Sequence, residues 1–216
     1  MSQIKKRVSA TVFNPNRLEA LTDAVFAIVM TLLVLEISIP EIAQPSLQAE
    51  LPRRLLELWP KFYSYVLSFI VLGILWSLHH HSFHYIKRSD NGLIWLNIIF
   101  LMFVALIPFS TSLEGDYETE QLSIVIYASN VLLALVMRLI IWTYATGKYR
   151  LVDRDINPRL VKWDKLLLIG FCLTFMLVIG ISFINVSAAH FLLALLLLAG
   201  LVAPGLVAQF ALRKSE

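Results

Sequence analysis

Long apolar stretches alternate with short polar segments along the whole chain. Six of these stretches approach the length of about 20 mostly apolar residues that a membrane-spanning helix needs. They lie at roughly 17–39, 59–85, 91–113, 121–146, 162–184 and 188–212. In the first connection, the segment "SLQAELPRRLLELWP" predicts a short interfacial helix. The pattern therefore predicts an all-α, polytopic membrane protein, with residues 1–216 forming a single six-helix transmembrane domain.

The composition supports a membrane protein and excludes several other classes. Hydrophobic residues make up 58% of the chain and Asp, Glu, Lys and Arg only 15%, with a mean hydropathy of +0.75. Soluble domains carry about 25% charged residues. The single cysteine, Cys172, lies in an apolar stretch, so no intrachain disulfide is possible. The net charge of +3 is too small and too dispersed to favour binding to nucleic acid.

The distribution of Lys and Arg predicts the orientation in the membrane, because cytoplasmic loops carry an excess of both residues. With a cytoplasmic N-terminus, three basic residues fall on the outer side, namely Arg53, Arg54 and Lys61. Fourteen fall on the cytoplasmic side: Lys5, Lys6, Arg7, Arg17, Lys87, Arg88, Lys148, Arg150, Arg154, Arg159, Lys162, Lys165, Arg213 and Lys214. We therefore expect both termini in the cytoplasm. The acidic segment "EGDYETE" is then expected to be a solvated outer loop that concentrates cations.

The first span, "RLEALTDAVFAIVMTLLVLEISIP", has two unlike faces when its residues are placed at 100° intervals around a helix. One face is aliphatic except for a single hydroxyl group and consists of Leu21, Ala24, Ile28, Thr31, Leu32, Leu35 and Ile39. The other face consists of Glu19, Asp23, Phe26, Met30, Leu33 and Ile37. The acidic positions thus lie opposite a smooth surface, and the two faces need separate explanations.

Asp23 requires a partner, because a carboxylate within the hydrocarbon region costs about 2.5–3.5 kcal/mol on insertion scales. At a rise of 1.5 Å per residue it lies about 9 Å from the cytoplasmic end of the first span, and His79 lies at a similar depth in the second. Asn97 in the third span is nearly level with both. We predict a polar layer of Asp23, His79 and Asn97, with Arg17 and Trp76 nearby, that connects the first three helices.

Two interpretations of each face remain open at this point. The polar layer is either structural or part of a proton relay or ion-binding site on a conduction path. The smooth face either contacts lipid and neighbouring helices or lines a pore, since hydrophobic constrictions can gate a channel by dewetting. The direction of Asp23, away from the smooth face, favours the structural interpretation of the layer.

The same residues resemble a known family of channels. The segment "RLEALTD" at 17–23 resembles the Arg-x-x-x-Phe-Ser-Asp signature that opens the first helix of the lysosomal potassium channel family, the transmembrane protein 175 family, and its prokaryotic homologues. Three further segments resemble the family over the first three helices: "WSLHHHSF" at 76–83, "LIWLN" at 93–97 and "LIPFSTSL" at 106–113. The chain departs from the signature at Leu21 and Thr22, whereas Arg17 and Asp23 match it.

The resemblance implies a homotetrameric channel for monovalent cations in the plasma membrane of a prokaryote, with a central pore lined by the first helix of each subunit. The family's constriction isoleucine corresponds to Ile28, its polar layer to Thr31, and the next pore-facing apolar positions to Leu32 and Leu35. No re-entrant filter loop of the "TVGYG" type, which supplies rings of carbonyl groups, is recognisable in the sequence. A narrow hydrophobic constriction would instead strip part of the water from the ion. This predicts weak selectivity for potassium, with K⁺ as the permeating ion and no cofactor.

Other functions compete with this expectation. The nearest alternative is a proton-conducting or cation-exchanging transporter that uses Asp23 and His79, and a purely structural or partner-binding role also remains open. An enzyme is not expected, because the sequence shows no recognisable catalytic triad, paired catalytic carboxylates or zinc motif. His80 and His84 are expected to be interfacial residues instead of metal ligands. Arg138, inside the fourth span, is expected either to snorkel or to pair with a carboxylate on another helix.

Overall fold

A computed structural model describes residues 14–38 and 47–196. Most of these residues belong to eight α-helices: α1 Asn16–Leu32, α2 Leu47–Glu57, α3 Trp59–Phe83, α4 Asn91–Ala105, α5 Ile107–Asp116, α6 Gln121–Thr146, α7 Pro158–Ser182 and α8 Val186–Leu196. Short 3₁₀ turns follow α1 at Leu33–Glu36 and α6 at Gly147–Tyr149. An isolated antiparallel β-bridge joins Ile86 and Val152. The all-α fold class is therefore confirmed for this part of the chain.

Five helical segments are long and apolar enough to cross a membrane, and they correspond to the first five predicted spans. They run over Asn16–Glu36, Glu50–Phe83, Asn91–Asp116, Gln121–Tyr149 and Pro158–Ser182. The predicted sixth span at 188–212 begins as α8, and its continuation after residue 196 lies outside the described residues, as do both termini. The short helix predicted in the first connection is confirmed as α2, on which Leu55 and Leu56 are exposed.

The third predicted span is divided into two helices, because α4 ends at Ala105 and α5 begins at Ile107. Pro108 explains the break. Its nitrogen cannot donate a hydrogen bond, and its ring would collide with the carbonyl group of Val104, four residues earlier. Proline is tolerated in the first turn of a helix, which is where Pro108 lies in α5.

Helix α6 forms the centre of the described bundle, where it contacts α3, α4, α5 and α7. Its buried residues recur at helical spacing along one broad face: Ser123, Ile124, Tyr127, Ala128, Asn130, Val131, Ala134, Leu135, Arg138, Ile141, Trp142 and Ala145. Helix α1 lies at the edge and contacts α3 and α4 along one side. The bundle therefore covers a broad face of α6, whose other side leaves Leu133 and Ile140 exposed, and covers α1 only along a narrower stripe.

The end of α6 is fastened to the start of α4 through Asp90. Its Oδ1 atom accepts a hydrogen bond from the backbone nitrogen of Leu93 at 2.9 Å, which caps α4, and its Oδ2 atom accepts from the Tyr144 hydroxyl at 3.0 Å. The Arg150 Nε atom lies 3.1 Å from Oδ2. Partial burial by itself raises the pKa of the Asp90 carboxyl, but these hydrogen bonds and the Arg150 charge hold the pKa below its usual value overall.

The acidic segment "EGDYETE" differs from the sequence-based expectation at its first residue. Residues 116–120 are exposed, as expected of a solvated connection. Glu114, in contrast, lies within the last turn of α5 and is only 3% exposed, because its carboxylate contacts His190 on α8. The prediction of a fully solvated loop is therefore wrong for Glu114, whose partner is 76 residues away along the chain.

Candidate functional site on the first helix

One side of α1 is built into the subunit. The buried residues of this stretch are Leu18, Thr22, Phe26, Val29 and Leu33. Their spacing of three or four residues returns to the same side of a helix that has 3.6 residues per turn. The Phe26 ring packs against Phe100 of α4, with 6.0 Å between the ring centroids. This stripe is the side of α1 that faces the rest of its own subunit.

The opposite side of α1 is not covered by the described residues. Ile28 is 58% exposed, Leu32 42% and Leu35 72%, and Thr31 is exposed as well. The Thr31 hydroxyl donates a hydrogen bond to the carbonyl oxygen of Ile28 at 2.7 Å, so its lone pairs remain available to a group outside the helix. Leu35 belongs to the 3₁₀ turn, where successive residues are about 120° apart, so the 100° interval no longer fixes its direction.

Asp23 is bound to α3 through the Trp76 indole, whose Nε1 atom donates to Oδ1 at 2.8 Å. The Trp76 ring stacks on His80, with 5.4 Å between centroids and 18° between planes. His80 Nδ1 in turn lies 3.1 Å from Oε1 of Glu19, one turn before Asp23. One turn of α1 is thus joined to one turn of α3 by two acidic residues and two ring side chains.

His79 belongs to a separate, buried chain of hydrogen bonds. Its Nε2 atom is 2.9 Å from Oδ1 of Asn97, the Asn97 Nδ2 atom donates to the Thr22 hydroxyl at 2.9 Å, and that hydroxyl donates to the Leu18 carbonyl oxygen at 3.0 Å. Because the Asn97 oxygen can only accept, Nε2 of His79 carries the proton. The three side chains are at most 1% exposed. This chain joins α3, α4 and the buried side of α1.

Two phenyl rings enclose the imidazole of His79. The Phe83 ring stacks on it with centroids 4.1 Å apart, and the Phe100 ring lies on it with centroids 5.4 Å apart and 7° between planes. An apolar enclosure of this kind disfavours a charged imidazolium. The geometry is therefore that of a neutral hydrogen-bond donor held between α3 and α4.

The expected single polar layer is found as two separate groups. Asp23 and Trp76 lie at the exposed boundary between α1 and α3, whereas His79 and Asn97 lie in the core with Thr22. Arg17 is exposed and makes no hydrogen bond or ion pair with the described part of the chain. Sequence reasoning missed Thr22 as a member, although its position one turn after Leu18 on the buried stripe was a usable signal.

Arg138 forms a further polar contact that sequence reasoning did not resolve. The residue is fully buried, so it does not snorkel, and Nη2 donates to the Leu78 carbonyl oxygen and to the Ser82 hydroxyl. Ser82 donates to Oδ2 of Asp164 on α7 at 3.1 Å. Arg138 and Asp164 therefore pair through a bridging hydroxyl, and this connection joins α3, α6 and α7 away from α1.

Sequence comparison connects these features with a known family. The model of the family described as endosomal/lysosomal potassium channel TMEM175 matches residues 17–108, which contain α1 from its second residue onward and both polar groups attached to it. A potassium channel of Streptomyces collinus is 33% identical over 186 residues, which cover 83% of this chain and 89% of that protein. The human endosomal/lysosomal proton channel TMEM175 is 31% identical over 138 residues, which cover 60% of this chain and 27% of the human protein.

A structural comparison agrees with the sequence. The crystal structure of a lysosomal potassium-selective channel TMEM175 homologue from Chamaesiphon minutus superposes with a TM-score of 0.77 and 26% identity. The superposition covers 87% of this chain and 96% of that one. With its apolar helices and its likeness in both sequence and fold, the protein is a multi-pass membrane protein that belongs to the TMEM175 family of cation channels, which are not enzymes.

Proposed function

We propose that four copies of this chain form a potassium-conducting channel in a plasma membrane, with a central pore lined by α1. The observation that carries this proposal is the contrast between the two sides of α1. One side is packed into the subunit from Leu18 to Leu33, while the other leaves Ile28, Thr31 and Leu32 uncovered. The relatives named potassium channels in bacteria support potassium as the permeating ion.

In this arrangement, the four copies of Ile28 form the constriction, and Leu32 and Leu35 continue an apolar wall toward the other end. An ion passing such a wall loses part of its hydration shell without receiving carbonyl ligands in return. Potassium holds its water less tightly than sodium, so the constriction favours potassium weakly. Thr31 offers oxygen lone pairs because its proton is already donated to the Ile28 carbonyl group. The ring of four Ile28 side chains also serves as a gate, because the pore stops conducting when it empties of water at that level.

The polar groups give α1 a defined rotation about its axis. Any other rotation would separate the buried Asn97 amide from the Thr22 hydroxyl, at a cost of about 1–3 kcal/mol for a buried polar group left unsatisfied, and would also break the exposed contact between Asp23 and Trp76. An apolar helix in an apolar solvent has little else to fix its rotation. We assign Thr22, Asn97 and His79 this positioning role, and Asp23 and Trp76 the same role on the exposed side.

The test is a flux measurement on purified protein in liposomes, with potassium and sodium gradients compared in parallel. Ile28→Asn places a hydrophilic ring at the constriction and is expected to raise sodium flux until the preference for potassium is lost. The matched control is Leu173→Asn on α7, which is 56% exposed and whose helix packs on α6. That variant should keep the parent preference. If both variants behave like the parent, the pore does not pass along α1.

Proton conduction is a second candidate, because the animal relatives are named proton channels. In such a channel the exposed Asp23 carboxylate, and not the enclosed His79, is the group placed to exchange protons with water. A pH-sensitive dye inside liposomes measures this directly under a potassium-imposed voltage. Proton flux that disappears in Asp23→Asn while potassium flux persists would establish a proton path through Asp23. Loss of both fluxes would instead indicate that Asp23 positions the helix.

A further inference from the structure

A cavity of about 410 Å³ lies at the end of the bundle that carries the acidic segment. Its walls come from the start of α3, the end of α5, the connection between α5 and α6, and the start of α8. Pockets that hold small molecules have volumes of about 300–1,000 Å³. The cavity is thus large enough for a small organic ligand, and none of its lining residues belongs to α1.

The charge of the cavity favours a cation. Glu114 and Glu118 contribute carboxylates, and the residues that line the cavity include neither lysine nor arginine. The Glu114 side chain is only 4% exposed; Oε1 contacts His190, and Oε2 has no hydrogen-bond partner in the described part of the chain. A buried oxygen of this kind is costly unless a positive or hydrogen-bonding group lies against it. The nearby Lys61 does not fill this role, because its ammonium group pairs with Asp116 at 2.6 Å.

The protonation state of His190 does not reverse this charge. Its Nδ1 atom lies 3.0 Å from the Val186 carbonyl oxygen, which can only accept, so Nδ1 carries a proton. Nε2 faces the Glu114 carboxylate, so the contact requires a second proton on the imidazole or on Glu114. The pair is then neutral as a unit. Glu118 adds a full negative charge, and the cavity attracts cations in either case.

Two aromatic side chains also line the cavity. Trp59, which is 70% exposed, and the half-buried Tyr63 come from successive turns at the start of α3. Aromatic faces attract ammonium ions, and quaternary ammonium groups are the ligands that aromatic cages recognise. A metal ion lacks its ligand set here, because the described residues contain no group of three His, Cys, Asp or Glu side chains arranged for one.

We propose that this cavity binds an organic ammonium group, with Glu118 as the counter-charge, the unpartnered Oε2 atom of Glu114 lining the same space, and Trp59 and Tyr63 against its methyl or methylene groups. The group belongs either to a free ammonium compound or to the choline headgroup of a lipid. Both sources present the same chemistry to the cavity. The proposal does not depend on where the pore runs.

The experiment is a calorimetric titration of the full-length protein in nanodiscs of phosphatidylglycerol, which contains no ammonium headgroup. Choline is compared with its uncharged isostere 3,3-dimethyl-1-butanol, and binding of choline alone is expected. Trp59→Leu and Glu118→Gln are both at exposed positions, so the fold should tolerate them. Each should weaken choline binding by about 3-fold to tenfold, as expected for one aromatic or charge contact.

Matched controls separate this site from general effects on the protein. Trp95→Leu removes another tryptophan that is 65% exposed, and Glu120→Gln removes an exposed acid of the same segment outside the cavity; both should bind choline like the parent. Three results would each overturn the proposal. They are equal binding of the uncharged isostere, unchanged affinity for choline in Trp59→Leu and Glu118→Gln, and displacement of choline by an equal concentration of KCl. If phosphatidylcholine added to the nanodisc competes with choline, the natural ligand is a lipid headgroup. If it does not compete, the natural ligand is a free ammonium compound.

Discussion

Helices α1 and α6 are both apolar enough to cross a membrane, yet the bundle covers them to different extents. Other helices cover α6 along a broad face, and its polar residues Tyr127, Asn130 and Arg138 are buried there. Helix α1 is covered along one stripe and leaves Ile28 and Leu32 exposed. The difference shows that hydrophobicity does not decide which surface of such a helix faces inward, since lipid is as apolar as leucine. The polar side chains decide which surface faces inward, because they alone must find hydrogen-bonding partners.

The largest effect is expected at the centre of α6. Arg138→Ala leaves Asp164 buried without its bridged partner, and breaking a buried ion pair in this way costs about 3–5 kcal/mol. The free energy of unfolding in mixed detergent micelles is the measurement. The double variant Arg138→Met with Asp164→Asn removes both charges and should recover most of the loss. A single variant as stable as the parent would show that α6 does not depend on its buried charge.

An intermediate effect is expected where α1 meets the core. Thr22→Val keeps the shape of the side chain but leaves the Asn97 amide without its acceptor, which should cost about 1–3 kcal/mol in the same unfolding measurement. Thr22→Ser restores the hydroxyl and serves as the control, with a loss below about 1 kcal/mol. No loss in Thr22→Val would contradict the role of the hydrogen bond, and equal losses in the two variants would mean that the methyl group matters as much as the hydrogen bond.

A smaller, pH-dependent effect is expected at Asp90, which the end of α6 contacts through Tyr144. The pKa of Asp90 is lowered in the folded protein, so its contribution to stability is present above the unfolded value near 4 and is lost as the pH falls through the folded value. The contribution should be about 1 kcal/mol, typical of a helix cap. Asp90→Asn keeps an oxygen acceptor for Leu93 but has no charge to titrate. The stability difference between parent and variant should therefore shrink below pH 4, and a constant difference would contradict the assignment.

The smallest effect on stability is expected on the uncovered side of α1. Ile28→Ala should change the free energy of unfolding of the subunit by no more than about 0.5 kcal/mol, because the side chain is exposed. Leu33→Ala on the buried stripe is the control and should cost about 2–5 kcal/mol. If Ile28→Ala nonetheless changes ion flux, the buried side of α1 contributes to stability and the exposed side to conduction. A large loss of subunit stability would show that Ile28 packs within the subunit.

Much of the fold was predictable because it follows from the order of residues along single helices. Hydropathy predicted the first five spans, and the 100° spacing separated the two sides of α1. The break in the third span also has a local cause, Pro108, although the span was predicted here as a single helix. In each case the physical cause is local, so no knowledge of neighbouring helices is needed.

The contacts between helices were less predictable. Counting residues gave the depth of Asp23, His79 and Asn97 but not their direction around each helix, which is why they were placed in one layer although they form two groups. Thr22 was overlooked because its hydroxyl is small and tolerated in an apolar stretch without a partner. Glu114 was predicted as solvated because nothing in the acidic segment indicates that His190 lies against it.

The carboxamide of Asn97 affects whether protons can move along the buried chain of hydrogen bonds from His79 to Thr22. Protons cross hydrogen-bonded chains by hopping, which requires every member to accept a proton on one side and release one on the other. Asn97 accepts from His79 at its oxygen and donates to Thr22 from its nitrogen, and a carboxamide can pass a proton between these atoms only through a high-energy imidic acid form. The buried chain can thus hold α1, α3 and α4 together without carrying protons along its hydrogen bonds.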